Sequence, residues 1–167
     1  MNKLDERGFT LLELVVVIGI MAVILSIATM AFNTMNRNRR IEAQVRQMQA
    51  EFDNVRLSAM TTKKNYAVLL NPTSYAFLSY SSEGDPGTPA GQTQQVQFPI
   101  QQFSSGSYRD FNATLLSIDA RGCLTAPAAP LYIAVAPGIS GPAVNALAVQ
   151  TAKTNVGLLQ GGNCVLQ

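Results

Sequence analysis

The sequence predicts an α+β fold, in which a long N-terminal helix packs on a C-terminal antiparallel β-sheet domain. Three observations predict it: an uncharged apolar block near the N-terminus, a helical apolar stripe directly after it, and short apolar segments separated by glycine and proline. The chain has 167 residues. That is enough for one compact domain and one extended element, since domains usually contain about 100 to 150 residues.

The apolar block spans residues 14–32 and reads LVVVIGIMAVILSIATMAF, with only two clearly polar members. As a helix it would be about 28 Å long, close to the hydrocarbon thickness of a bilayer. The block therefore predicts a membrane-spanning segment. A buried core helix is one alternative, but a domain this small cannot surround a helix that is apolar on every side.

A cleaved secretory signal is the other alternative for this block. Lys3 and Arg7 would be its basic end, and residues 26–28 would form a small-x-small cleavage site. Three features argue against it: the apolar run is longer than the usual stretch of about 7 to 15 residues, it continues past Ala28, and Glu13 stands at its entrance.

The stripe follows a polar and basic stretch, residues 33–40. Its apolar residues recur at alternating spacings of four and three, which is a helical pattern; they are Ile41, Val45, Met48, Phe52, Val55 and Ala59. No glycine or proline occurs between Ile20 and Thr62. We therefore predict one helix over residues 9–62, about 80 Å long, whose second half extends beyond the bilayer and packs on both the rest of the chain and neighbouring copies.

Residues 63–167 contain few charges and read as a β-sheet domain. Segments 66–70 and 75–80 flank a turn-forming Asn-Pro-Thr-Ser set and predict a hairpin. Residues 81–91 predict an exposed loop, as a connector in preference to a contact loop. Further strands are predicted at residues 95–100, 114–119, 131–136, 147–151 and 164–166.

Composition excludes several classes of enzyme. The chain has no histidine, which removes Ser-His and Cys-His nucleophilic pairs, histidine-ligated zinc and a histidine pH switch. We find no catalytic constellation and expect no enzyme activity, no metal and no cofactor. The net charge of +2 is small and its basic residues are scattered, so we expect no nucleic-acid partner.

The most specific pattern is Gly8-Phe9-Thr10-Leu11-Leu12-Glu13, which follows the short polar leader MNKLDER. The segment RGFTLLELVVVIGIMAVIL resembles the N-terminus of type IV pilins and type II secretion pseudopilins. The resemblance covers about the first fifty residues strongly. It implies that residues 1–8 are a leader, that a prepilin peptidase cuts between Gly8 and Phe9, that the Phe9 amine is then N-methylated, and that the helix becomes the core of a filament.

The same resemblance implies the location and the partners. It implies a single-pass protein of the bacterial inner membrane with its C-terminal domain in the periplasm, which contacts lipid before assembly and then joins a pilus or pseudopilus. The implied partners are other pilin or pseudopilin subunits, the prepilin peptidase with its N-methyltransferase activity, and the inner-membrane assembly platform. The segments TLLSIDARGCL and ALAVQTAKTNVGLLQGG are similar to minor, H-type subunits, and a major pilin is the alternative.

Glu13 has a physical reason to seek a partner. A carboxylate on a spanning helix costs about 2.5 to 3.5 kcal/mol at the bilayer centre and less towards its edge, and the next basic residue is Arg37. Cleavage after Gly8 would create an α-amine four residues before Glu13 that stays charged when methylated. We expect the Phe9 amine of one subunit to pair with Glu13 of its neighbour and to set their axial offset. The alternative places Glu13 in the lipid headgroup region.

The basic residues around the apolar block give conflicting signals about topology. Lys3 and Arg7 precede the block, whereas Arg37, Arg39 and Arg40 follow it. The positive-inside rule therefore favours a cytoplasmic sheet domain by one charge, and the family resemblance implies the opposite, which we adopt. The three arginines would bind lipid phosphates or acidic residues of adjacent subunits, or form a solvated face.

The only cysteines are Cys123 and Cys164. They do not form a CxxC pair, and without histidine they make a poor zinc site. In an oxidising periplasm they would form one disulfide that closes a loop of about forty residues and stabilises the fold by roughly 4 kcal/mol. The family resemblance agrees with a C-terminal disulfide, and two reduced thiols are the alternative.

Two other functions remain as alternatives. A DNA-uptake subunit needs clustered Lys or Arg for phosphate contacts, whereas the distal half offers Arg109, Arg121 and Lys153. An ordinary secreted or single-pass protein would have its mature N-terminus at Thr29 rather than at Phe9.

Overall fold

A computed structural model describes residues 10–82, 85–128, 130–139, 141–160 and 163–166. The predicted leader, with Gly8, and the following Phe9 lie outside the described residues. The chain divides into two compact units, Met1–Arg37 and Asn38–Gln167. We predicted a domain boundary between residues 62 and 63, where the helix ends. The second compact unit instead begins at Asn38, inside the helix.

Helix α1 spans Leu11–Thr62 and is followed by β-strands, which confirms the predicted α+β class. In the first unit, every described residue from 10 to 37 is exposed, including the whole apolar block. By length and composition this part of α1 is able to cross a membrane, and its most apolar window has no buried residue. Helix α1 begins at Leu11, two residues after its predicted start at residue 9, and Thr10 lies outside the helix.

The strands of the second unit form two antiparallel sheets. In chain order they are β1 Asn65–Leu70, β2 Ser74–Tyr80, β3 Thr88–Pro89, β4 Gln94–Gln95, β5 Ile100–Ser104, β6 Ser107–Asp110, β7 Thr114–Ile118, β8 Leu124–Ala126, β9 Leu131–Val135, β10 Ala146–Val149, β11 Thr154–Gln160 and β12 Asn163–Leu166. Sheet 1 has the order β3-β2-β1-β7-β8, with β4 also paired to β2, and sheet 2 has the order β12-β11-β10-β9-β5-β6.

The hairpin predicted from residues 66–70 and 75–80 is confirmed, with Leu70 paired to Tyr75 next to the turn. The strands predicted at 114–119, 131–136, 147–151 and 164–166 are present within two residues of their predicted ends. The loop predicted at 81–91 is wrong in one part, because Thr88 and Pro89 pair with β2.

The strand predicted at residues 95–100 is wrong, since only its two ends belong to strands. Both backbone groups of Phe98 bond to the side chain of Gln44 instead: the Phe98 N–H donates to Oε1 at 2.9 Å and Nε2 donates to the Phe98 carbonyl at 2.8 Å. Pro99 has no N–H to offer to a neighbouring strand. The segment therefore crosses between the sheets and ties them to α1.

The predicted stripe on α1 is confirmed as the centre of the core. All six of its residues are buried against side chains from both sheets. Phe52 meets Phe77 of sheet 1 edge to face, with ring centroids 6.4 Å apart. From sheet 2, the cluster includes Ile133 and Leu147. Burial of such side chains contributes about 1.5 to 3 kcal/mol each, so the stripe holds the two sheets on one helix.

Arg56 is a buried cation that the stripe pattern did not predict. Its side chain is 4% exposed. Nη1 donates to the carbonyls of Gly122 at 2.7 Å and Thr151 at 2.8 Å, and Nη2 donates to the carbonyl of Gln150 at 2.6 Å. Burial lowers the pKa of Arg56, and the nearby Asp53 carboxylate opposes this shift. The guanidinium thus fastens α1 to a turn of sheet 1 and to the β10–β11 turn of sheet 2.

Arg56→Ala is expected to lower the free energy of unfolding by about 2 to 4 kcal/mol, because the Gly122 and Gln150 carbonyls lose their donor and the Thr151 carbonyl keeps only the Leu124 N–H. Urea unfolding of the protein in detergent measures the change. Arg46→Ala, on an exposed side chain of the same helix, is the control and should change stability by about 0.5 kcal/mol or less. Equal midpoints for the two variants would show that the Arg56 contacts do not stabilise the fold.

Candidate assembly site at the start of the helix

The first turn of α1 is held by Thr10. The Glu13 N–H donates to Thr10 Oγ1 at 3.3 Å and the Leu14 N–H donates to the Thr10 carbonyl at 3.3 Å. Thr10 is therefore the N-cap residue and Glu13 occupies the third helical position, the spacing of a capping box. Sequence reasoning missed this role for both residues, although the Thr-x-x-Glu pattern is its signal.

Glu13 is the acidic residue of the first helical turn. A negative charge here is favoured by the partial positive charge of a helix N-terminus, by about 0.3 to 1 kcal/mol at an exposed site. Within the described residues its carboxylate has no side-chain hydrogen bond or ion pair. The carboxylate is therefore free to accept a cation from outside the described part of the chain.

The apolar side chains around Glu13 are exposed. Leu11 is 83% exposed and Leu12 is 76% exposed, and exposure continues through the block to Phe32. Soluble monomers rarely expose continuous apolar patches of more than a few hundred Å². This surface therefore requires a bilayer or other apolar helices around it, and in either environment a lone carboxylate is costly.

The other two predicted assembly residues, Gly8 and Phe9, lie outside the described residues. The structure places Thr10 and Glu13 together in one turn and leaves the proposed pair between the Phe9 amine and Glu13 as a prediction.

Cys123 and Cys164 both carry free thiols in the structure, so the predicted disulfide is not formed here. Cys123 lies in the turn between β7 and β8 of sheet 1, whereas Cys164 lies in a strand of sheet 2. Cys123 closes a turn in which its N–H donates to Asp119 Oδ1 at 2.8 Å, and Cys164 lies on β12, the outermost strand of sheet 2. Burial raises the pKa of the Cys164 thiol, which disfavours the thiolate that forms disulfides. The pairing stays a prediction for oxidising conditions.

A surface cleft of about 420 Å³ in sheet 1 was not predicted as a site. Its lining includes Tyr66, Tyr80, Asp85 and Asp119. Both carboxylates already accept backbone hydrogen bonds, Asp85 from two loop N–H groups and Asp119 from the turn that follows β7. Among the residues that the structure describes, no group of three or more potential metal ligands occurs.

A model of the prokaryotic N-terminal methylation motif matches residues 3–29. The chain carries the type IV pilin and pseudopilin signature. This signature covers about a sixth of the chain and includes Gly8, Phe9, Glu13 and most of the apolar block. It implies assembly with other pilin subunits, processing by a prepilin peptidase and anchoring in the inner membrane. No curated protein and no solved structure gives a significant match to the chain.

In this pilin-like helix, Thr10→Ala is expected to loosen the first turn by about 1 kcal/mol, because the Glu13 N–H loses its acceptor. Hydrogen exchange at the Glu13 amide in lipid nanodiscs should then be about fivefold faster. Thr10→Ser keeps the hydroxyl and should exchange like the unchanged protein. Equal exchange in all three proteins would contradict the cap.

Proposed function

We propose that this protein is a minor pilin or pseudopilin, a structural subunit without catalytic activity that enters, initiates or caps a pilus or a type II secretion pseudopilus. The observation that carries the proposal is an apolar helix, exposed at every described residue from 11 to 37, that starts with the pilin signature and continues into a folded domain.

The proposed path starts in the inner membrane, with the sheet domain in the periplasm. Cleavage between Gly8 and Phe9 removes the leader and exposes the amine that N-methylation then modifies. Moving residues 14–32 out of the bilayer would expose many large apolar side chains at about 1.5 to 3 kcal/mol each. The subunit can therefore leave the membrane only into contact with other apolar helices, which the assembly platform would supply as neighbouring subunits.

In the proposal, pairing of the Phe9 amine with Glu13 of a neighbour favours the move of the subunit from the bilayer into the filament. Each charge alone is costly among apolar helices, whereas the two together form a charge-assisted hydrogen bond. A subunit that lacks a free Phe9 amine offers its neighbour no partner for Glu13. In this proposal a subunit can therefore join the filament only after its leader has been cleaved.

Minor status is supported by the two segments of the sheet domain that resemble H-type subunits. Within the first segment, residues 114–118 belong to β7 and Leu124 begins β8 of sheet 1; within the second, residues 146–149 belong to β10 and residues 154–160 to β11 of sheet 2. The DNA-uptake alternative is weakened further, because Arg121 Nε is paired with Asp119 Oδ2 at 2.9 Å. Arg109 and Lys153 then remain as the distal basic residues without an ion pair among the described residues.

Gly8→Leu is expected to block cleavage, because a bulky side chain replaces the residue on the leader side of the cut. The variant should accumulate in the membrane fraction as a precursor heavier by the leader, residues 1–8, and should be absent from sheared filaments. Intact mass analysis measures both. Asn2→Ala, elsewhere in the leader, is the control and should be processed normally. A Gly8→Leu protein of normal mature mass in filaments would refute the proposal.

A further inference from the structure

The strands at the edges of the two sheets differ in how they are protected. An edge strand has a row of unpaired backbone N–H and C=O groups, which proteins usually guard with charged side chains, proline or a very short strand. Sheet 1 ends on one side in β3 and β4, which have two residues each and include Pro89. Its other edge is β8, which has three residues and precedes Pro127. At one end of sheet 2, β6 carries Arg109 and Asp110.

The other end of sheet 2, β12, has none of these protections among the described residues. Its four residues, Asn163–Leu166, include no charged side chain and no proline. Val165 is 55% exposed and Leu166 is 42% exposed. Because neighbouring residues of a strand point to opposite faces, β12 has exposed apolar surface on both faces of its edge.

The hydrogen bonds of the neighbouring strand β11 show which of its backbone groups face β12. The Gly157 carbonyl accepts from the Asn145 N–H at 3.1 Å, and the Leu159 N–H donates to Asn145 Oδ1 at 2.8 Å. The backbone groups of residues 157 and 159 therefore face the side of β10. In an antiparallel pair, successive residues direct their backbone groups to opposite sides of the strand. The backbone groups of residues 158 and 160 thus face β12.

Two residues of β12 have backbone groups that point away from sheet 2. Leu158 is paired with Val165, so Val165 directs its N–H and C=O groups towards β11. Cys164 and Leu166 precede and follow Val165, and by the same alternation their N–H and C=O groups point to the free side. An added strand can form hydrogen bonds with these groups without disturbing the pairing of β12 with β11.

A cleft of about 440 Å³ opens beside this edge. Its lining includes Cys164 of β12, the aromatic residues Phe103 and Tyr132, and the prolines Pro127 and Pro130. Residues that pair directly across two strands have their side chains on the same face of the sheet. One side chain of an added strand, on the residue that pairs with Cys164, would therefore lie next to the cleft.

We propose that the free edge of β12 binds an extended strand of a different protein, which is uncharged, apolar on both faces and hydrogen-bonded to the backbone of Cys164 and Leu166. Free N–H and C=O groups in a row require an extended backbone, and the exposed apolar side chains favour a strand without charges. In strand addition the main-chain hydrogen bonds provide affinity, and pockets for alternate side chains, here the cleft, provide specificity. The choice of a different protein rests on the proposed function, because a subunit that initiates or caps a filament has other proteins as neighbours.

The test uses the full-length protein in lipid nanodiscs and a blocked peptide with the sequence of β11, TNVGLLQ, as the probe. This sequence is uncharged and already pairs with one side of β12. Saturating peptide should slow hydrogen exchange at the Cys164 and Leu166 amides about tenfold or more. The Val165 amide faces β11 and should change little, so the expected signature is an alternation along β12.

Leu166→Pro removes one outward N–H and keeps the pairing of Val165 with β11, since proline is tolerated on the free side of an edge strand. It should weaken peptide binding about fivefold, the effect of one lost hydrogen bond. Leu166→Val is the matched control: it keeps the N–H and an apolar side chain, and it should bind within about twofold of the unchanged protein. The thermal unfolding midpoint of each variant checks that the domain is folded.

Unchanged exchange at the Cys164 and Leu166 amides, or equal binding by the Leu166→Pro and Leu166→Val proteins, would show that the edge does not accept a strand. If both amides are already protected without peptide and the protein in detergent has the mass of two copies, a second copy occupies the edge and the inferred partner is wrong. In each case the proposed function stands. That function fails separately, if the unchanged protein is neither cleaved after Gly8 nor found in filaments.

Discussion

The first part of α1 exposes large apolar side chains that have no apolar partner among the described residues. Every described side chain of α1 from residue 11 to residue 37 is exposed, and this stretch makes up 27 of the 37 residues of the first compact unit. No part of the second unit is needed to explain why it is helical, since a run of this length and composition is helical in a bilayer. The same stretch carries Glu13, and an apolar surface with one carboxylate calls for an environment that offers both apolar contact and a cation.

The second half of α1 differs from the first half, because one of its faces is buried in the sheet domain. Its buried stripe holds both sheets, and Arg56 and Gln44 add hydrogen bonds to backbone groups that have left the strand ladders. The opposite side of this half of α1, which includes Arg46, Asp53 and Leu57, is exposed.

Patterns that depend on side-chain periodicity were predictable from the sequence. The stripe from Ile41 to Ala59 and the hairpin of β1 and β2 follow from spacing and turn residues alone, and both are confirmed. Strand β6 was missed because its four residues are all exposed and carry no apolar alternation. Residues 95–100 were misassigned because a side chain of α1, distant in sequence, takes both backbone groups of Phe98. Arg56 was missed for a related reason, since a buried cation satisfied by carbonyls has no signature in its own segment.

The central claim is that the charge of Glu13 is needed for subunits to join, and the most direct measurement is the incorporation of Glu13→Gln beside Glu13→Asp. Glutamine keeps the size and the polarity and loses the charge, whereas aspartate keeps the charge. The account predicts that both variants are cleaved after Gly8, that Glu13→Gln stays in the membrane fraction, and that Glu13→Asp enters filaments in a reduced but measurable amount. Normal incorporation of a cleaved Glu13→Gln protein would contradict it.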